Sequence, residues 1–157
     1  MTMDEADDLL VKLRLLAREE SKAEAAALER AYEILNILDG KAGGLVPLNT
    51  FMGAFPAAAV AYFRGKTDFL HIAGLYLSFV LVMLLVVSAI FCFRIVRINW
   101  PFLYFIDAGG GKEFSDKELK ELSHVIVART RYYSAAWWIT LLSLAGLAIL
   151  AFLYAIS

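Results

Sequence analysis

Residues that carry catalytic or metal chemistry are scarce in this sequence. The chain has one cysteine, Cys92, and two histidines among 157 residues. A single cysteine excludes an intrachain disulfide and any site that needs paired thiolates. Neither H-E-x-x-H nor G-x-S-x-G occurs, so the common signatures of zinc proteases and serine hydrolases are missing. The sequence therefore predicts no enzyme, no metal site and no cofactor.

Charged residues are also few, and they are missing from long stretches. They make up 20% of the chain against 61% hydrophobic residues, whereas soluble domains have about 25% and 45–50%. From Phe69 to Phe93 there is no Asp, Glu, Lys or Arg. At about 1.5 Å per helical residue this stretch is longer than the hydrocarbon core of a bilayer, about 30 Å. It predicts a transmembrane helix.

Two further stretches predict spans. Leu45 to Phe63 is uncharged, although Pro47 and Pro56 interrupt it, and Ala135 to Ile156 is uncharged and follows an aromatic cluster typical of a membrane interface. The expected fold is an all-α membrane protein with three transmembrane helices and a long N-terminal helical arm. The expected domains are an arm over 1–40 and a transmembrane domain over 41–157.

The distribution of Lys and Arg predicts the orientation. The connection over 94–134 is rich in both, whereas the turn between the first two spans offers only Arg64 and Lys66. The positive-inside rule places the long connection in the cytoplasm. The N-terminus, which starts without a basic signal-peptide region, is then cytoplasmic and the C-terminus periplasmic, in a bacterial inner membrane.

The arm is expected to be one helix from Met3 to Asp39 that stops at Gly40. Its apolar residues follow a heptad pattern, and we call this set the heptad seam. The seam either folds against its own chain or assembles several subunits into a homo-oligomer. It consists of Leu9, Leu13, Leu16, Ala23, Ala27, Ile34 and Ile37.

Three cations of the arm, Arg14, Arg18 and Lys22, are spaced four residues apart and share one helical stripe. The stripe is either a binding site for a phosphate-bearing regulator or a solvated face paired with nearby glutamates. Farther along, Ser115 and Glu118 match a capping box. They predict a helix that begins at Ser115 and continues into the third span.

The first span has a face of small residues and one amide. Such a face lines a pore between subunits or packs against the other spans. The face consists of Asn49, Gly53, Ala57 and Val60. Ahead of it lies a segment expected to bend as a gating hinge, which consists of Gly40, Gly43, Gly44 and Pro47.

The passage Asp39-Gly40-Lys41-Ala42, leading through two glycines into a span with Asn49, resembles the start of the small membrane effectors of Pycsar-type bacterial anti-phage systems. The channel subunit of Hailong-type defence is similar in layout. The resemblance implies that a nucleotide or oligonucleotide signal, or the protein that makes it, controls the effector. It also implies that the effector depolarises or permeabilises the membrane, with Asp39, Lys41 and Asn49 as the matched positions.

The sequence thus leads to a homo-oligomeric inner-membrane effector that forms a signal-gated ion channel. A non-conducting membrane adaptor, which recruits a soluble partner through its arm, is the alternative. Conductance in a bilayer distinguishes the two.

Overall fold

The structure, a computed structural model, describes residues 3–17, 23–65, 68–96 and 112–156, and these form helices without any strand. Three of the helices are long and apolar enough to cross a membrane. The prediction of an all-α chain with three candidate spans is therefore confirmed. The helices are α1 (Met3–Ala17), α2 (Ala23–Phe63), α3 (Phe69–Val96) and α4 (Lys112–Ile156).

The turn between α2 and α3 lies where the sequence placed it. Gly65 has φ of 86°, in the left-handed region that glycine adopts at the C-terminus of a helix. The carbonyl of Asp68 accepts a hydrogen bond from the Ile72 N–H at 3.0 Å, which starts the next helix. The predicted end of the first span at Phe63 and start of the second at Phe69 are confirmed.

The chain divides into two compact units. The head unit contains Met1–Gly40 and Val96–Arg131, and the span unit contains Lys41–Ile95 and Tyr132–Ser157. The long helices α2 and α4 each contribute one part to each unit. The predicted spans, about 45–63, 69–93 and 135–156, fall in the span unit.

The span unit is a bundle of three helices with buried residues at heptad spacing. Steps of three and four residues are typical of side chains that interdigitate between helices crossing at about 20°. Ala59, Phe63, Leu81 and Leu150 form its apolar core. The buried stripe of α3 shows the spacing most clearly and consists of His71, Gly74, Ser78, Leu81, Leu85, Ser88, Cys92 and Ile95.

Close helix approach in this bundle occurs at two glycines. A Cβ added to Gly74 would lie 2.8 Å from two ring atoms of Phe63, and one added to Gly146 would lie 2.5 Å from a methyl group of Leu81. The hydrogen side chains of these glycines therefore leave room for neighbouring helices to pack.

In the head unit, α1 and the Asp39 end of the arm contact neighbouring residues of α4, so the prediction of one helix over Met3–Asp39 is wrong. Arg131 pairs with Glu5 of α1, and Arg129 pairs with Asp39 of α2. The two arginines are two residues apart on α4. In one straight helix the two carboxylates would be about 51 Å apart at 1.5 Å per residue, too far for such neighbouring arginines.

The prediction that the arm stops at Gly40 is also wrong, because α2 continues without a break from Ala23 to Phe63. An interior glycine costs a helix about 1 kcal/mol relative to alanine. The buried residues Leu38, Ala42 and Leu45 continue the heptad spacing across this segment. Their burial offsets the low helix propensity of the glycines between them.

The helix predicted from Ser115 does run into the third span, but α4 begins earlier, at Lys112. The capping-box interpretation therefore needs correction. The Glu118 carboxylate accepts a 2.5 Å hydrogen bond from the Tyr32 hydroxyl of α2. Glu118 thus joins two helices of the head unit at a position inside α4.

Candidate functional site

A cluster of three hydrogen-bonded polar side chains lies in the interior of the span unit. Asn49 of α2 donates from Nδ2 to Oγ of Ser88 on α3 at 2.9 Å, and Thr140 of α4 donates from Oγ1 to Oδ1 of Asn49 at 2.9 Å. The Ser88 hydroxyl also lies 3.0 Å from the Ala136 carbonyl, which accepts its hydrogen bond. The Ser88 and Thr140 hydroxyl oxygens are 3.0 Å apart, so one polar residue from each span meets the other two. We call Asn49, Ser88 and Thr140 the polar cluster.

The polar cluster ties the three spans at one depth. Its members are 3% or less exposed, and a buried polar group without a partner costs several kcal/mol in hydrocarbon. Sliding or rotating one span would break these bonds. The cluster therefore fixes the relative register of the helices. Its polar groups find their hydrogen-bond partners within the same chain.

The small-residue face predicted for the first span is divided by the structure. Asn49 is in the bundle interior, Gly53 and Val60 are half-buried at its edge, and Ala57 is exposed. The amide thus does not share a surface with Ala57. For Asn49 the geometry favours the packing alternative over the pore alternative, since its side chain is enclosed by the other two spans of the same chain.

One stripe on the surface of α2 that points away from the bundle consists of small residues, whereas Leu48, Phe55 and Tyr62 of the same helix are also exposed. We call this stripe the outer α2 face. Its members repeat at steps of three and four residues, and each is exposed. Phe51, which is 80% exposed, stands beside it. The outer α2 face consists of Gly43, Pro47, Thr50, Ala54, Ala57 and Ala61.

The corresponding surface of α3 is bulky, as expected for a helix that meets lipid. Its exposed residues are aromatic, branched or long apolar side chains, among them Tyr76, Phe79, Met83, Val86, Ile90 and Phe93. The exposed part of α4 has the same character, with Trp138, Leu142, Ile149 and Phe152. The outer α2 face differs from both.

Two polar backbone features accompany the outer α2 face. Pro47 has no N–H, so the carbonyl of Gly43, four residues earlier, lacks its usual intrahelical donor. The Thr50 hydroxyl donates to the Val46 carbonyl at 2.9 Å. An acceptor without its intrahelical donor is costly against lipid and suits contact with another protein surface or with water.

The residues proposed as a gating hinge all lie within the continuous helix α2. Gly40, Gly43, Gly44 and Pro47 are exposed, and a Cβ added to any of the three glycines would meet nothing within 4 Å. Packing within the chain therefore does not require glycine at these three positions. The predicted hinge role stays a prediction.

The heptad seam is used partly inside the subunit. Leu13 and Ala27 are buried in the head unit, Leu9 and Ile34 are half-buried, and Ile37 is 49% exposed. Leu16 and Ala23 belong to helices, but their side chains lie outside the described part of the chain. For Leu13 and Ala27 the structure favours the alternative in which the arm folds against its own chain.

Of the cations proposed to bind a regulator, Arg14 is exposed near the end of α1. Arg18 and Lys22 lie outside the described residues, so the structure leaves that stripe untested. A partly buried ion pair of the head unit lies elsewhere. Arg129 Nη1 lies 2.9 Å from Asp39 Oδ1, and the arginine side chain is only 12% exposed.

The three positions matched by the family resemblance have three different environments. Asp39 is an ion-pair partner in the head unit, Lys41 is exposed at the start of the span unit, and Asn49 belongs to the polar cluster. Sequence reasoning missed the partners Ser88 and Thr140. Each is a polar residue within an otherwise apolar span, which is the signal that pointed to Asn49.

Metal chemistry receives no support from the described ranges, in which no three His, Cys, Asp or Glu side chains come together. His71 is buried at the start of α3, with Nδ1 3.6 Å from Asp68 Oδ2 and its ring near Phe63. Cys92 is buried in the interior of the span unit.

These features are those of an α-helical membrane protein, since three helices are long and apolar enough by length and composition to cross a bilayer. Comparisons with protein-family models, with curated proteins and with solved structures give no match to this chain.

Proposed function

We propose that this protein is a homo-oligomeric inner-membrane effector that forms a signal-gated ion channel in anti-phage defence. The observation that carries the proposal is the outer α2 face, whose small residues contrast with the bulky exposed residues of α3 and α4. Helices in membranes associate where small residues let their backbones approach closely. We infer that subunits meet along this surface.

The same surface supplies the few groups that suit an ion path. Because Pro47 has no N–H, the carbonyl of the exposed residue Gly43 lacks its intrahelical donor, and Thr50 lies about two turns further along the helix. In an assembly with the outer α2 faces turned inward, these groups and Ala54 line the axis. Asn49 does not line this path, because it holds the spans together inside each subunit.

Control of the channel is assigned to the head unit, on the cytoplasmic side in the proposed topology. Helix α2 is continuous and contributes residues to both units, and we propose that it carries the signal from the arm to the first span. A phosphate-bearing regulator that binds the arm, with Arg14 as its described candidate contact, would act through α2. The role in defence and the nucleotide nature of the signal rest on the sequence resemblance alone.

Current through the purified protein in planar bilayers tests the proposal. The background variant Cys92→Ala receives one cysteine, at Ala54 on the outer α2 face or at Met83 on the exposed face of α3. A positively charged thiol reagent should block the current of Ala54→Cys and leave that of Met83→Cys unchanged. Bilayers that stay silent with every candidate nucleotide signal would contradict the channel.

A second candidate is a non-conducting adaptor, and exposed apolar residues of the head unit favour it. Val11 and Leu15 of α1 are 53% and 58% exposed, and Ile37 of α2 is 49% exposed. An adaptor would show no current. Val11→Glu with Leu15→Glu would then abolish its cellular effect, while a matched pair of substitutions on the outer α2 face would not.

A further inference from the structure

The charges of the span unit are unbalanced at one end. Among all residues of the span unit, the sequence has one acidic residue, Asp68, just before α3. Arg94 lies near the end of α3, about 39 Å away at 1.5 Å per residue. The counter-charge of Arg94 therefore does not come from the span unit itself.

The Arg94 side chain lies beside an aromatic ring of α4. Its guanidinium carbon lies 6.0 Å from the centroid of the Tyr132 ring on α4, within the range of a cation–π contact. The Tyr132 ring in turn stacks on Phe91 of α3, with centroids 6.0 Å apart and an interplanar angle of 21°. Arg94 remains exposed, so this cation is presented outward.

Counting residues from the polar cluster shows that Lys41 lies at nearly the same depth as Arg94. From the Asn49–Ser88 contact, six residues along α3 lead to Arg94 and eight residues back along α2 lead to Lys41, a rise of about 9 Å and 12 Å. Lys41 is exposed. Two cations on different helices therefore lie near one level, at the end of the spans where the Tyr132 aromatic ring also lies.

We propose that Arg94 and Tyr132 form a binding site for the phosphate group of an anionic lipid. A guanidinium is weakly hydrated and presents several donors in a plane, which suits phosphate oxygens. The cation–π contact with Tyr132 positions the side chain before the ligand binds. Lys41 adds positive charge at the same depth, and the exposed apolar residues Ile90 and Phe93 offer a surface for the acyl chains.

The site goes beyond ion conduction and is independent of it. Basic residues at the cytoplasmic boundary of a span attract anionic lipids. An arginine in contact with Tyr132, on a bundle whose register is fixed by the polar cluster, adds positional selectivity. The ligand is recognised through a phosphate, so a soluble phosphate is the competing source.

Native mass spectrometry of the detergent-purified protein with added lipid tests the site. The probes are phosphatidylglycerol and phosphatidylcholine at equal concentration. We expect retention of phosphatidylglycerol over phosphatidylcholine, and a loss of about tenfold in that preference, about 1.4 kcal/mol, in Arg94→Gln. Arg64→Gln, an exposed arginine at the other end of the spans, is the matched control and should leave it unchanged.

Two tyrosine variants separate binding from folding. Tyr132→Phe keeps the ring and should retain lipid, whereas Tyr132→Leu should lose preference several-fold at unchanged helix content. Equal retention by Arg94→Gln and the unsubstituted protein would overturn the proposal, as would equal losses in Arg94→Gln and Arg64→Gln. If inorganic phosphate alone displaced the bound lipid, the site would bind a soluble phosphate, and the proposal of a lipid ligand would be overturned.

Discussion

Asn49 of α2 and Ser88 of α3 are joined by a 2.9 Å hydrogen bond within the bundle of three spans. The bond connects an amide in a span with two prolines to a hydroxyl in the most apolar span. Asn49 was predicted to line a pore, but this bond makes it a residue that fixes the register of the helices. The polar cluster and the outer α2 face thus give α2 two opposite roles, one toward its own chain and one toward its surroundings.

The first prediction concerns the polar cluster. Asn49→Ala removes the bonds to Ser88 and Thr140 and should lower the free energy of unfolding in detergent by about 1–2 kcal/mol, the range of interhelical hydrogen bonds in membranes. Its neighbour Thr50 bonds only to its own helix. Thr50→Ala should therefore have little effect, and equal losses for the two variants would contradict a register-fixing role.

The second prediction compares two glycines of the span unit. A Cβ at Gly74 would meet the buried Phe63 ring at 2.8 Å, whereas a Cβ at Gly53 would have its nearest neighbour, a Leu85 methyl, at 3.9 Å. Gly74→Ala should destabilise by about 1–3 kcal/mol through overpacking. Gly53→Ala should be neutral or stabilising because alanine favours a helix by about 1 kcal/mol. Thermal unfolding of both variants in one detergent measures the difference.

The third prediction concerns association. Ala57→Leu places a bulky side chain on the outer α2 face without entering the bundle, so the subunit should stay folded while its native mass falls to that of a smaller assembly or a monomer. Met83→Leu, on the exposed face of α3, is the control and should leave the assembly intact. An unchanged mass for Ala57→Leu would exclude this face as the interface.

The fourth prediction contrasts two ion pairs of the head unit. Arg129 and Asp39 are 12% and 39% exposed at their side chains, whereas Arg131 and Glu5 are 46% and 54% exposed. A double-mutant cycle with alanine should give a coupling free energy of about 1.5–3 kcal/mol for the first pair. The exposed pair should give less than about 1 kcal/mol.

A larger coupling for Glu5 with Arg131 than for Asp39 with Arg129 would refute this ranking. Asp8 and Lys12, an exposed pair within α1 at 2.6 Å, serve as the reference. Their coupling should be as small as that of Glu5 with Arg131, since both pairs are solvated.

Local sequence information was sufficient for the spans. The uncharged run from Phe69 to Phe93 and the turn that contains Gly65 depend only on neighbouring residues, so the ends at Phe63 and Phe69 were predicted correctly. The continuity of α2 through Gly40 was not predicted, because a glycine is a local signal for the end of a helix. Burial of Ala42 and Leu45 against other helices outweighs that signal, and burial is not a local property.

The face of a helix that each polar residue occupies likewise depends on the partners of that helix. Asn49, Gly53 and Ala57 share one four-residue spacing in the sequence, yet the heptad packing of the bundle buries the first and exposes the last. The partners Ser88 and Thr140 lie 39 and 91 residues away along the chain. No spacing rule within a single helix identifies them.

The sequence by itself determined that this chain has three helices able to span a membrane, because the transfer of apolar residues into lipid depends on composition and length. Tertiary structure decided that α1 and Asp39 contact neighbouring residues of α4, that Asn49 joins three spans, and that small residues of α2 face outward. These features depend on which surfaces meet across many residues of intervening chain, and that choice is made by packing and hydrogen bonding in the folded bundle.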